Sequence, residues 1–208
     1  LFSAFVGQAW NIAGGYAGQL SFGHVVFFGT GAYAATILQL KLGLNPWLGL
    51  PVAVVAGALV GALIAVLSFR AGLRGSYFAL ITLAFAEAFR ILANSVEFTG
   101  AGKGLLIPLK KGTENFQLER IGFYYVILVF CVASIALAFW LTRSRFGARL
   151  AAIRENEDAA EALGINTYRE KVRVMMLSGA MCAIGGVFYA QYYLYIDPSI
   201  AYGVDKSV

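Results

Sequence analysis

TRSRFGARLAAIRENEDAAEALGINTYREKVR, residues 142–173, is the stretch on which the reading of this chain turns. It is dense in charge, whereas the segments on either side, Ile121–Leu141 and Val174–Ile196, contain no Asp, Glu, Lys or Arg. A hydrocarbon layer ~30 Å thick is crossed by about 20 apolar residues in a helix. Both flanks meet that requirement, so the charged stretch is an island between two membrane crossings. Arg143, Arg145, Arg149, Arg154, Arg169, Lys171 and Arg173 make it the largest basic cluster of the chain. Basic loops stay on the cytoplasmic side, which puts the island (143–173) in the cytoplasm.

The rest of the chain follows outward from this assignment. Trp47–Phe69 is a third apolar run of membrane length, and Ser76–Ala93 is a shorter one that carries Glu87 and Arg90. Leu1–Leu40 is too long for one straight crossing, and its centre reads GGYAGQLSFGH, residues 14–24. Its glycines, with Gln19, Ser21 and His24, predict an interruption between two helical pieces. Alternation then puts Arg70 and Arg74 in a short cytoplasmic turn, with residues 94–120 and 197–208 outside. The expected fold is all-α, a polytopic transmembrane helical bundle of about five to six membrane segments, one of them broken at GQLSFGH. Tyr124, Tyr125, Trp140, Tyr192, Tyr193, Tyr195 and Trp47 lie near span ends, where interfacial aromatic belts form.

Composition agrees and excludes several function classes. Of 208 residues, 60% are hydrophobic and 13% charged, against about 25% charged in soluble domains. The net charge of +5 comes without a basic stripe interleaved with aromatics, so no nucleic-acid partner is expected. His24 is the lone histidine, and Cys131 and Cys182 each sit inside an apolar run, so no metal or redox centre is expected. The glycine-rich run 100–104 lacks the Lys-Ser/Thr ending of a phosphate loop. No catalytic residue and no cofactor site is expected in this chain.

Within the island, Phe146, Leu150, Ile153, Ala160 and Leu163 recur at helical spacing and predict one amphipathic helix. Arg154 is placed to pair with Glu157 and Asp158 at i+3 and i+4. Gly164 is the expected helix stop, followed by a turn and re-entry into the next span. Glu155, Glu157, Asp158, Glu161 and Glu170 argue against a helix lying on anionic lipid headgroups and for a protein partner.

Two intramembrane clusters are candidate translocation residues. Gly18, Gln19, Ser21, Gly23 and His24 form the interruption. Broken backbone at membrane depth is tolerated only where protein or a wet cavity satisfies it. Contact with a zwitterionic solute and glycine-mediated helix packing are both open readings there. Glu87 lies about 16 Å along its helix from Ser76, near mid-membrane, with Arg90 at i+3. An ion pair that fixes packing and a group that lines the pathway are likewise both open. Thr82, off the face of Glu87, is given little weight.

The sequence also resembles a known family. Asp158-Ala159-Ala160, three residues, then Gly164 is similar to the Glu-Ala-Ala-x3-Gly coupling loop of ABC importer permeases, with Asp158 in the place of Glu and without the proline that closes the family loop. NIAGGYAGQLSFGHVVFFGTGAYAA, LRGSYFALITLAFAEAFRILAN and SRFGARLAAIRENEDAAEALGIN look like the LivM-like subunit of branched-chain amino-acid permeases, in family order. The resemblance implies a single permease domain over residues 1–208 with further spans at both ends, in the bacterial inner membrane. It implies a second permease subunit, two cytoplasmic ATP-binding subunits that use the ATP, and a periplasmic or lipid-anchored solute-binding protein. It implies that Arg154, Glu157, Asp158, Ala159, Ala160 and Gly164 serve the ATPase-coupling loop, and that hydrophobic amino acids are the cargo. Urea or short amides are the neighbouring cargo, and an ion-coupled secondary carrier using Glu87 and Arg90 is the alternative mechanism.

Overall fold

The computed structural model describes residues 1–109 and 116–203. Helix α1, Phe2–Asn11, is prolonged by a wide π turn, Ile12–Tyr16, and α2 spans Val25–Leu42. Helices α3 (Pro46–Arg70), α4 (Gly75–Ser95) and α5 (Arg120–Arg143) follow. The island folds as α6 (Arg145–Glu155) and α7 (Glu157–Ala162), after which come α8 (Thr167–Tyr193) and the short α9 (Pro198–Tyr202). Five helices, α2, α3, α4, α5 and α8, are long and apolar enough to cross a membrane. The fold is the expected all-α polytopic bundle. Among the described residues, a short ribbon pairs β1, Leu105–Leu106, antiparallel with β2, Tyr195–Ile196.

Helix α8 is the axis. Helix α3 approaches it so closely that a Cβ on Gly57 would sit 2.6 Å from the carbonyl oxygen of Gly179, and a Cβ on Gly179 equally close to that of Gly57. Lipid tails are as apolar as leucine, so helices in a membrane gain from close backbone packing more than from burying large side chains. Leucines 59, 63 and 67 of α3 instead face outward, where lipid or further helices solvate them.

Direction follows from cross-helix pairs. Phe2 stacks on Phe188 and the Ala9 carbonyl meets Ser178, so α1 runs opposite to α8. His24 meets Ser178 and Gln39 meets Gln191, so α2 runs with α8. The chain is interrupted where the glycines predict, and it reverses direction there. Helices α1 and α2 are the two arms of a hairpin.

One end of the bundle gathers the 70–74 turn, the α1–α2 hairpin turn and the island, since Arg74 reaches Asp158 and Arg154 reaches Gly15. The other end carries the β ribbon, with Ile107 N–H also donating to the Leu194 carbonyl at 2.8 Å. The alternation read from loop charge is therefore geometrically consistent. Residues 110–115 and 204–208, part of the expected external segments, lie outside the described residues.

Three expectations change. The island holds two helices rather than one: Asn156 is extended (φ −158°, ψ 109°) and its side chain accepts from Ala159 N–H at 3.0 Å, capping a new helix. Leu163 is consequently not on the buried face; it is 81% exposed. The break also turns Arg154 away from Glu157 and Asp158. It pairs with Glu155 at 2.9 Å and donates to the Gly15 carbonyl at 3.0 Å. Finally, α8 starts at Thr167 and ends at Tyr193 instead of covering 174–196, because Asn166 caps Arg169 N–H and Leu194 closes the helix in the left-handed region. Charges in its first turns do not stop a helix that has not yet entered the membrane.

Overpacking a core costs ~1–3 kcal/mol. Gly57→Leu is expected to lower the thermal unfolding temperature of the detergent-purified protein, with Leu59→Ala on the outward face of α3 close to wild type; equal effects of the two would contradict the α3–α8 contact.

Candidate functional site: an exposed charged turn and a buried helix hairpin

The sequence-predicted island residues fall into two groups on either side of Asn156. Glu157, Asp158, Ala159, Ala160 and Gly164 belong to α7 and the turn that ends it. Gly164, at φ +82°, donates to the Glu161 carbonyl, and Ile165 donates to that of Ala160. This paired closure satisfies the last carbonyls and requires a left-handed residue, hence glycine. Ala160 is buried beneath the turn, while Asp158, Ala159, Ala162 and Leu163 are exposed.

Ion pairs bind the turn to the bundle. Arg74 donates to Asp158 at 2.8 Å and lies 3.5 Å from Glu157. Lys171, only 5% exposed, donates to Glu157 and sits 4.6 Å above the Phe69 ring. Glu157 and Asp158 occupy the first turn of α7, where the helix dipole favours carboxylates. The bond to Asp158, with Glu157 adding to it, holds the Arg74 guanidinium above its ordinary value. Behind this pair, Glu170 accepts from Arg149 at 2.9 Å and from Arg173 at 3.3 Å.

The hairpin turn is satisfied almost atom by atom. Gly18 is left-handed at φ +67°, and Gln19 N–H returns to the Ala13 carbonyl while its side-chain amide donates to that of Ala17, both at 2.9 Å. Trp10 Nε1 donates to the Ser21 carbonyl at 2.9 Å, and Ser21 Oγ accepts from Gly23 N–H at 3.3 Å. Phe22 N–H donates to Thr82 Oγ1 at 3.1 Å, and a Cβ on Gly23 would collide with the Thr82 carbonyl oxygen. Ser178 gives its hydroxyl proton to Ala9 at 2.7 Å, so the His24 Nε2 that lies 2.8 Å from Ser178 Oγ is the protonated ring nitrogen and donates. Gln19, Ser21 and His24 are all buried.

His24, with Trp10, Phe22 and Phe28, lines a cavity of about 670 Å³ between α1, α2 and α8. Its wall is chiefly apolar, with Ser3 as a further polar group. Glu87 and Arg90 lie elsewhere. Their bidentate pair (2.9 and 2.5 Å) is half-exposed on α4. The seven candidate translocation residues thus form two separate clusters.

Thr82, Ser178, Trp10, Arg74 and Lys171 are the residues that sequence reasoning missed. For Thr82 a signal existed, a hydroxyl in an otherwise apolar stretch of α4. The others act across the fold and carry no local mark.

A multi-pass bundle with a capped, charged turn at one end defines the class, an integral membrane protein. The sequence profile described as "Branched-chain amino acid transport system / permease component" matches residues 3–206, and the chain belongs to that family of inner-membrane ABC transporter permeases. It is 30% identical over 218 residues to the high-affinity branched-chain amino acid transport system permease protein LivM of Escherichia coli K12, covering 93% of this chain and 51% of that protein. It is 26% identical over 219 residues to the permease protein LivH of Salmonella typhimurium LT2 (96% of this chain, 70% of that one). It is 27% identical over 189 residues to the nucleoside ABC transporter permease protein NupC of Lactococcus lactis (77% and 55%). The chain spans about half the length of the LivM protein it matches. No solved structure matches it.

Leaving a buried N–H without its acceptor costs ~1–3 kcal/mol. Thr82→Val is expected to raise amide exchange at Phe22 and Gly23 and to lower thermal stability, and Thr82→Ser to preserve both. Hydrogen-exchange mass spectrometry of the purified protein reads the difference.

Proposed function

We propose that this chain is the membrane-spanning subunit of an ATP-driven importer for hydrophobic, branched-chain amino acids. The observation that carries the reading is the exposed turn Asp158–Gly164, on a chain that belongs to a permease family. Leu163 is a large apolar side chain displayed on a polar, charge-fastened turn at the end of the bundle. With the exposed Ala159 and Ala162 it gives the tip of α7 an apolar surface that suits a protein partner. The partner that fits is a cytoplasmic ATP-binding subunit, present in two copies. A second permease subunit and a periplasmic or lipid-anchored binding protein complete the complex. ATP is used by the partner, and this chain holds no cofactor and performs no covalent step.

Transport requires that the turn contact the ATP-bound and ATP-free partner differently, because a partner that binds two states equally shifts neither. The Asp158–Arg74 and Glu157–Lys171 pairs then carry displacement of α7 into the 70–74 turn and α8. The largely apolar cavity beside His24 suits an aliphatic side chain, with Phe22 and His24 of the hairpin in its lining. A nucleoside is the second cargo reading, favoured by the similarity to a nucleoside permease. Urea or a short amide is a third, and an ion-coupled carrier centred on Glu87 and Arg90 is the rival mechanism.

Reconstituted uptake of labelled leucine, competed by valine, adenosine and urea, separates these cargoes. Valine is expected to compete and adenosine and urea not to; uptake that persists without ATP and follows an ion gradient would falsify the importer reading. Leu163→Asp is expected to abolish co-purification of the ATP-binding subunit while the permease remains folded. Retention of the partner by that variant would remove the turn from the docking surface.

A further inference from the structure

The island meets the helix hairpin at Arg154. Arg154 lies in the last turn of α6, two residues before Asn156, and its Nη1 donates to the Gly15 carbonyl at 3.0 Å. Gly15 lies in the π turn that closes α1, where carbonyls have lost their helical partners and the helix dipole is negative. A guanidinium there is both a hydrogen-bond donor and a charge of the favoured sign. Its stem also lies on the hairpin: a Cβ on Gly18 would sit 2.9 Å from Arg154 Cγ and 3.5 Å from its Cα. Gly18 is thus required twice, by its φ of +67° and by the arginine above it.

Asn156 separates this attachment from the other one. Downstream, Glu157 and Asp158 fasten α7 to Lys171 of α8 and to Arg74 between α3 and α4. Upstream, Arg154 reaches the α1–α2 turn. The extended backbone at Asn156 joins two short, stiff helices, so force on α7 divides at that residue.

We propose that Arg154 is a positioning residue that ties α6 to the α1–α2 hairpin turn, so that displacement of the docking turn is delivered to Gly15–Ser21 and not only to α8. It contacts neither the ATP-binding partner nor the solute. This rests on the importer reading and deepens it, by assigning the route from the docking turn to the hairpin.

The test uses the complete complex in proteoliposomes, with leucine uptake and ATP hydrolysis measured together. Arg154→Met keeps the aliphatic stem on Gly18 and removes the cationic donor. It is expected to lower leucine moved per ATP about tenfold, the scale of losing a hydrogen bond from a charged group. Arg154→Lys is expected to restore most of the ratio, and Glu155→Gln, which removes the arginine's other partner, to leave it near wild type. In the same complexes, amide exchange over Tyr16–Ser21 is expected to rise in Arg154→Met while α3 and α8 stay protected. A wild-type ratio in Arg154→Met overturns the proposal. So does loss of the ATP-binding subunit from that variant, which would place Arg154 in the docking surface, and so does loss of protection throughout α3 and α8. Leucine uptake by the wild-type complex without ATP would instead defeat the importer reading, and the exchange measurement would still decide whether the tie exists.

Discussion

A helix hairpin inside a membrane has to find partners for the backbone groups that its turn sets free, because the surrounding lipid offers none. In this protein the turn between α1 and α2 meets that demand from every side. Trp10 comes from α1, Thr82 from α4, Ser178 from α8 and Arg154 from the island. Those groups converge only because α1, α2 and α3 all pack on α8, with α3 held at backbone distance by Gly57 and Gly179. The close packing and the satisfied turn are therefore one constraint met twice. Large side chains between α3 and α8 would spread the bundle and pull donors from acceptors.

The same logic separates the polar groups of the interior by role. Gln19, Ser21 and His24 are buried and engaged with neighbouring backbone or hydroxyls, and they hold a shape. The Glu87–Arg90 pair satisfies itself along one helix and leaves its outer edge open. Charges on the island do a third thing. They fasten a short helix to the bundle without burying its tip, so the tip keeps a defined position and an exposed apolar side chain.

Features set by length and by local backbone chemistry were legible in the sequence. The crossings were readable because the thickness of the hydrocarbon layer imposes about 20 apolar residues on each helix. The interruption at residues 18–24 and the stop at Gly164 were readable because glycine with small polar neighbours has few other uses inside helical runs. Asn156 was missed because an amphipathic period continued straight through it, and a cap residue inside a periodic stretch leaves the period intact. Arg154 was assigned to its nearest acidic neighbours for the same reason, whereas its partner Gly15 lies 139 residues away. Arg74 and Asp158 are 84 residues apart. Side-chain direction at the end of a helix depends on the fold around it, and charge spacing along the chain does not contain it. Thr82 lies off the face of Glu87, and the face that matters is the one turned to Phe22 and Gly23.

Helix α8 has 27 residues, which makes it a rod of ~40 Å. Its first turns carry Lys171 and Glu170, to which the island is fastened. Its last turn runs into Leu194 and the strand that pairs with Leu105–Leu106. The two faces of the protein are thus the two ends of a single unbroken helix. A break anywhere along α8 would therefore separate the ribbon at one face from the ion pairs at the other.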